Sequence, residues 1–225
     1  MMSRVREESV QAQLAALAEV LTRSSEAIAG PAAAYAALVI ETFESDGRVL
    51  MCGNGGSAAT VEHVATEYVV RLKRERQALP AIALTAGSAQ LTASANDYGY
   101  EMAFLRSLRA FGRRGDLLVL HSTSGESANL LAAAAEAGCM GIATVALLGE
   151  VGGPLSELVD LPIRVPTVDT AHIQEVHLAI EHAVADLVDA HFAEQWEDRE
   201  EGERVARMSY CPDWRGRPPS SPAAR

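Results

Sequence analysis

The chain has 225 residues, 48% of them hydrophobic, and a formal net charge of −11. That length and apolar content exclude a disordered chain and suit one domain with a full-sized core. The acidic balance argues against a nucleic-acid partner, and no apolar run reaches the roughly 18 residues that a membrane span requires.

Residues 5–45 predict two helices. Val10, Leu14, Leu17 and Leu21 recur at spacings of three and four, Gly30-Pro31 punctuates the pattern, and Asp46-Gly47 ends the second helix. From residue 48 the text changes to short apolar runs: RVLMCG, PAIALT, DLLVLHS, GIATVALLG and LPIRVP. They are nearly continuous rather than alternating, as in parallel strands covered on both faces. Helix-like stretches at 57–71, 100–112, 126–138 and near 154–159 separate most of them, and a long last helix runs from about His172 to Trp196. This alternation predicts an α/β fold, a three-layer αβα sandwich around a five-stranded parallel sheet. Residues 46–196 then form the core domain, 1–45 the N-terminal helices, and 197–225 a charged, Pro/Ser-rich tail expected to be mobile. MMSRVREESVQ lacks the apolar core of a signal peptide. Cys52, Cys139 and Cys211 are odd in number and lack metal spacing, so a cytoplasmic protein with reduced thiols is expected. The one dense basic run, RLKRER at 71–76, reads as a solvated helix end favoured by the helix dipole.

Two strand ends are small and hydroxylated: CGNGGS at 52–57 and HSTSGES at 121–127. Ligands of open parallel sheets bind beyond the carboxyl ends of strands. Backbone N–H groups at a helix start, joined by serine and threonine hydroxyls, make a seat for a phosphate dianion. Either loop alone also reads as a turn with a helix cap; two at neighbouring strand ends favour a ligand. No lysine follows, so neither is a Walker loop. Gly53 to Ala58 fits a dinucleotide fingerprint, but the next strand ends in Thr85-Ala86 without the acid that would hold a ribose, so no nucleotide cofactor is expected. His63 and Glu67 are four apart and share a helix face, either as a surface pair or as ligands of one site. Gln174, Glu175, His177, Glu181 and His182 crowd the last helix, where each histidine taken singly reads as a surface or capping residue.

Taken in order, CGNGGS, the helical His63-x-x-x-Glu67, Asn96-Asp97, STSG-x-S and IQE-x-H with the further His182 resemble the sedoheptulose-7-phosphate (phosphoheptose) isomerases of the SIS, or sugar isomerase, superfamily. The resemblance spans about residues 10–192 and implies a flavodoxin-like SIS sheet. It implies an aldose–ketose isomerase of sedoheptulose 7-phosphate. The phosphate would lie on Ser122, Thr123, Ser124 and Ser127. Asn54, Gly55, Gly56 and Ser57, with Asn96, Asp97, Glu67 and Gln174, would contact the sugar. Glu67 would be the base and His182 the second acid–base group. A divalent metal, zinc in many members, would sit on His63, Glu67, Gln174 and His182, and the assembly would be a homotetramer with sites at subunit boundaries. The chemistry agrees, because moving a proton between C1 and C2 needs a carboxylate near carbon and an acid near oxygen. Glu126 and His172 depart from the family's common asparagine and arginine. Two other readings stand beside this one. One is a non-catalytic SIS protein that associates with a replication initiator, in which the positions of Glu67 and His182 are replaced. The other is an isomerase of another sugar phosphate, such as an amino-sugar phosphate.

Overall fold

The five apolar runs become five parallel strands: β1 Val49–Gly53, β2 Ala81–Ala83, β3 Leu117–Ser122, β4 Ala143–Leu148 and β5 Leu161–Arg164. The computed structural model describes residues 2–197. The tail expected over 197–225 lies outside them except for Glu197, as does Cys211. The strands pair in the order β2-β1-β3-β4-β5, so the order of connection reverses between β1 and β3. Gly53 pairs with His121 across these two strands, which brings CGNGGS and HSTSGES out of the sheet side by side. A crevice at such a reversal is where an open α/β sheet binds its ligand.

The helices are α1 Met2–Glu44, α2 Gly56–Val69, α3 Ser88–Tyr98, α4 Ala103–Phe111, α5 Ala128–Met140, α6 Leu155–Leu158 and α7 Thr170–Glu197, with a 3₁₀ turn at Tyr100–Met102. Strand residues of both parities are buried, which explains the unbroken apolar runs. Val49, Met51, Leu117 and Val119 face α1, α2 and α7, whereas Leu50, Cys52, Leu118 and Leu120 face α4 and α5.

Three local expectations need correction. The two helices expected before residue 46 are one, with Pro31 inside it. A proline inside a helix costs about 3 kcal/mol. Val20, Ile28, Tyr35, Ala36, Val39 and Phe43 bury one continuous stripe across the proline, and that packing holds the axis. Second, SAQLTASANDY forms α3, although it carries one large aliphatic residue, Leu91, and so has no periodic apolar signal. Third, the basic run is not simply solvated. Lys73 and Arg74 pair with Asp186 at the surface, but Arg76 is buried and lies 2.8 Å from Asp189. Arg76 also donates to the carbonyls of Glu67 and Tyr68, satisfying the end of α2.

Candidate active site

The first loop is held by its own amide. Ser57 N–H donates to the Asn54 carbonyl at 3.0 Å as α2 begins, and the Ser57 side chain is buried. Gln174, on α7, lays its carboxamide against Gly56. A Cβ at that position would sit 2.6–2.9 Å from the amide, so glycine permits the close approach.

The second loop turns at Gly125, whose φ of +68° suits glycine and where a Cβ would overlap the Gly152 carbonyl. Gly125 N–H donates to Ser122 Oγ at 2.9 Å, and Glu126 N–H donates to Ser124 Oγ at 3.2 Å. Both hydroxyls therefore accept from the loop and keep their own hydrogens to donate outward. Ser127 stands at the N-cap of α5 without a side-chain capping bond. The loop thus offers hydroxyl donors at the positive end of a helix. Beside it lies an open cleft of about 240 Å³ lined by Thr123, Ser124, Glu126, Glu150 and Thr170 among others. His63, Glu67 and His182 do not line it.

Those three meet elsewhere, along the packed faces of α2 and α7. His63 Nε2 is 3.0 Å from His182 Nε2 and 3.4 Å from Glu67 Oε1. Candidate ligand atoms of all three lie within 4.8 Å of one another. A tetrahedral shell with bonds of about 2.0–2.2 Å sets its ligand atoms roughly 3.4 Å apart. Two imidazole nitrogens and a carboxylate oxygen at these separations fit a divalent ion with a position left for a ligand. All three residues come from one chain. Gln174, expected as a fourth ligand, does not join them: it lies eight residues before His182, about 12 Å of helix rise, and packs against Gly56 at the start of α2, whereas His182 meets His63.

Asn96 and Asp97 lie exposed in the last turn of α3, with Asn96 Nδ2 donating to Asp97 Oδ1 at 2.8 Å. Just beyond them, Tyr100 reaches back to Asn54 Oδ1 at 2.9 Å, which ties this segment to the first loop.

A second polar cluster lies beneath the site and was not anticipated. His121, the residue before Ser122, places Nε2 2.6 Å from Glu181 Oε1, and both side chains are fully buried. Tyr35 of α1 donates to both Glu181 oxygens at 3.1 and 3.3 Å. Burial and that carboxylate hold the Tyr35 phenol well above its ordinary range, so its hydrogen stays in place. His177, expected at the surface, is 1% exposed. Its burial, aided by His121, pushes its pKa down to about 3, so the ring is neutral at pH 7. In the sequence, His121 inside DLLVLHS and Glu181 inside LAIEHAV were polar letters in apolar text, which was the available signal. Asn129, buried in the first turn of α5 and bonded to Asn54, carried none.

The SIS domain family matches residues 13–149. The phosphoheptose isomerase of Roseiflexus sp. (strain RS-1) is 48% identical over 177 residues, which covers 79% of this chain and 90% of that protein. The structure of phosphoheptose isomerase GmhA from Neisseria gonorrhoeae superposes with a TM-score of 0.78 at 37% identity, over 82% of this chain and 98% of that one. A phosphoheptose isomerase from Francisella tularensis superposes with a TM-score of 0.80 at 32% identity and the same coverage. The chain belongs to the phosphoheptose isomerases of the SIS-domain family.

Proposed function

We propose that the chain converts sedoheptulose 7-phosphate to a D-glycero-D-heptose 7-phosphate, manno or altro at C2, by aldose–ketose isomerisation through an enediolate. The observation that carries this reading is a division of labour between two groups of side chains. Hydroxyls and helix-terminal amides gather at the loop after β3, while a carboxylate and two imidazoles gather on α2 and α7. His63 lies seven residues into α2 from Gly56, roughly 10 Å of helix rise. A sugar held at the first loop would lie between this cluster and its phosphate on the neighbouring second loop.

Glu67 takes a proton from C1 and returns it to C2. His182 gives a proton to O2 and accepts one from O1. Ser122, Thr123, Ser124 and Ser127 hold the phosphate; Asn54, Gly55, Gly56, Ser57, Asn96, Asp97 and Gln174 hold the sugar. His63, Glu67 and His182 would hold a divalent ion, zinc, which when bound supplies positive charge to the sugar oxygens, while Gln174, the fourth ligand that the resemblance implies, packs on Gly56 instead. No nucleotide takes part. A non-catalytic role is disfavoured because Glu67 and His182 are both present and meet at one cluster.

We also read the protein as a homotetramer with its sites at subunit boundaries. The first half of α1 leaves Val10, Leu14 and Leu21 exposed, an apolar surface suited to covering by a second copy. Light scattering tests this, and a fully active monomer overturns it. Since Glu67 and His182 meet within one chain, mixing Glu67→Gln with His182→Ala subunits is not expected to rebuild a site. The function itself is tested by incubating the protein with sedoheptulose 7-phosphate and following it by NMR. An aldoheptose 7-phosphate must appear without added nucleotide; unchanged ketose contradicts the reading.

A further inference from the structure

Asn54 does not face the crevice as a free amide. Its Nδ2 donates to Asn129 Oδ1 at 2.9 Å, Asn129 Nδ2 donates back to Asn54 Oδ1 at 2.8 Å, and Tyr100 Oη donates to the same oxygen at 2.9 Å. A carbonyl oxygen has two lone pairs, so Asn54 Oδ1 is filled, and one N–H of Nδ2 is left over. The two partners come from the other segments of the site. Asn129 is the second residue of α5, directly behind the serine loop, and is 2% exposed. Tyr100 follows α3 and the Asn96–Asp97 pair. Asparagine is a weak helix former, and Asn129 is not the cap of α5, a position held by Ser127. Its two polar ends instead close a ring with a residue 75 positions away.

We propose that Asn129 and Tyr100 are positioning residues that fix Asn54 as a hydrogen-bond donor toward an oxygen of the sugar, and that they lock the two loops and the 96–100 segment into one register. This rests on the reading of the crevice as a sugar-phosphate site. Asn54 then presents a donor and no acceptor, which selects a carbonyl or hydroxyl oxygen that can accept. Neither partner need touch the substrate.

The test is a set of double-mutant cycles on the full chain. Tyr100→Phe removes one hydroxyl from a half-exposed ring and should fold normally. It should lower kcat/KM for sedoheptulose 7-phosphate about three- to tenfold, and Asn129→Leu about ten- to a hundredfold. In Tyr100→Phe, inhibition by inorganic phosphate should stay within about twofold of the parent, because Tyr100 makes no contact with the serine loop. In an Asn54→Ala background the same two changes should cost less than about twofold, since their effect passes through Asn54. Equal losses in both backgrounds, or no loss for Tyr100→Phe in the parent, overturn the proposal. The same cycle is read without substrate by amide hydrogen exchange across residues 54–57, which should quicken with either change in the parent and not in Asn54→Ala. If the parent turns over no sedoheptulose 7-phosphate, the substrate reading fails, and unchanged exchange in Tyr100→Phe then overturns the positioning separately.

Discussion

Glu181 and His182 are neighbours in the chain and opposites in the structure. His182 turns toward α2, partly in solvent, and meets His63 and Glu67. Glu181 turns inward, fully buried, to His121 and Tyr35. Two clusters of the same residue types, histidine and glutamate, thus lie on two faces of one helix. Exposure decides what such groups can do. The outer cluster is open to a ligand and its atoms are spaced to share an ion or a proton. The inner cluster is sealed and its carboxylate is taken up by Tyr35 and His121, so its effect is felt as geometry and stability.

The sharpest way to break the contrast is to remove one inner partner. Glu181→Leu leaves His121 buried and unpaired, and should cost roughly 3–5 kcal/mol of stability in denaturant unfolding. His121→Leu with Glu181→Leu should recover most of that loss, because a well-packed apolar pair is close to neutral. A double variant as unstable as the single would mean that the inner pair is not the unit described here.

The outer region should answer in binding rather than stability. Ser124→Ala, by calorimetry with the sugar phosphate, should weaken binding by roughly 1.5–3 kcal/mol, the contribution of a hydrogen bond to a charged group. Its unfolding midpoint should barely move. Unchanged affinity would take the loop out of the site.

His177 gives the inner region a pH signature. Its folded pKa of about 3 lies below the unfolded value near 6.5, so the unfolded chain binds more protons between them. Stability should therefore be full above pH 6.5 and fall on acidification, by about 2 kcal/mol between pH 6.5 and 5. His177→Leu should flatten that slope, and a slope unchanged in the variant contradicts the assignment. The smallest effect is expected at Glu126, which is exposed on the rim of the cleft. Glu126→Asn removes a negative charge near the phosphate and should tighten binding by under about 1 kcal/mol, less at high salt; weaker binding would reverse its sign.

The sheet was legible because continuous apolar runs such as DLLVLHS have one simple explanation, burial on both faces. The loops were legible because glycine and serine at strand ends have few structural alternatives. The pair His63–Glu67 was legible from helical spacing, and its meeting with His182 came from resemblance. Three things were hidden. Pro31 read as a break because the packing that overrides it involves α7, far along the chain. The face chosen by Glu181 depends on a one-residue offset from His182, 100° around a helix, which periodicity alone does not fix. Asn129 and Tyr100 act through a third residue, and a contact across 75 positions leaves no local trace.

In the proposed mechanism the outer cluster moves the proton while the serine loop holds the phosphate. Glu67→Gln tests it most directly, with turnover by NMR and binding by calorimetry on the same preparation. The amide keeps the shape of Glu67 but cannot take a proton from carbon. Sugar-phosphate binding should be retained and turnover reduced by roughly 10² to 10⁴. Turnover near that of the parent would contradict it.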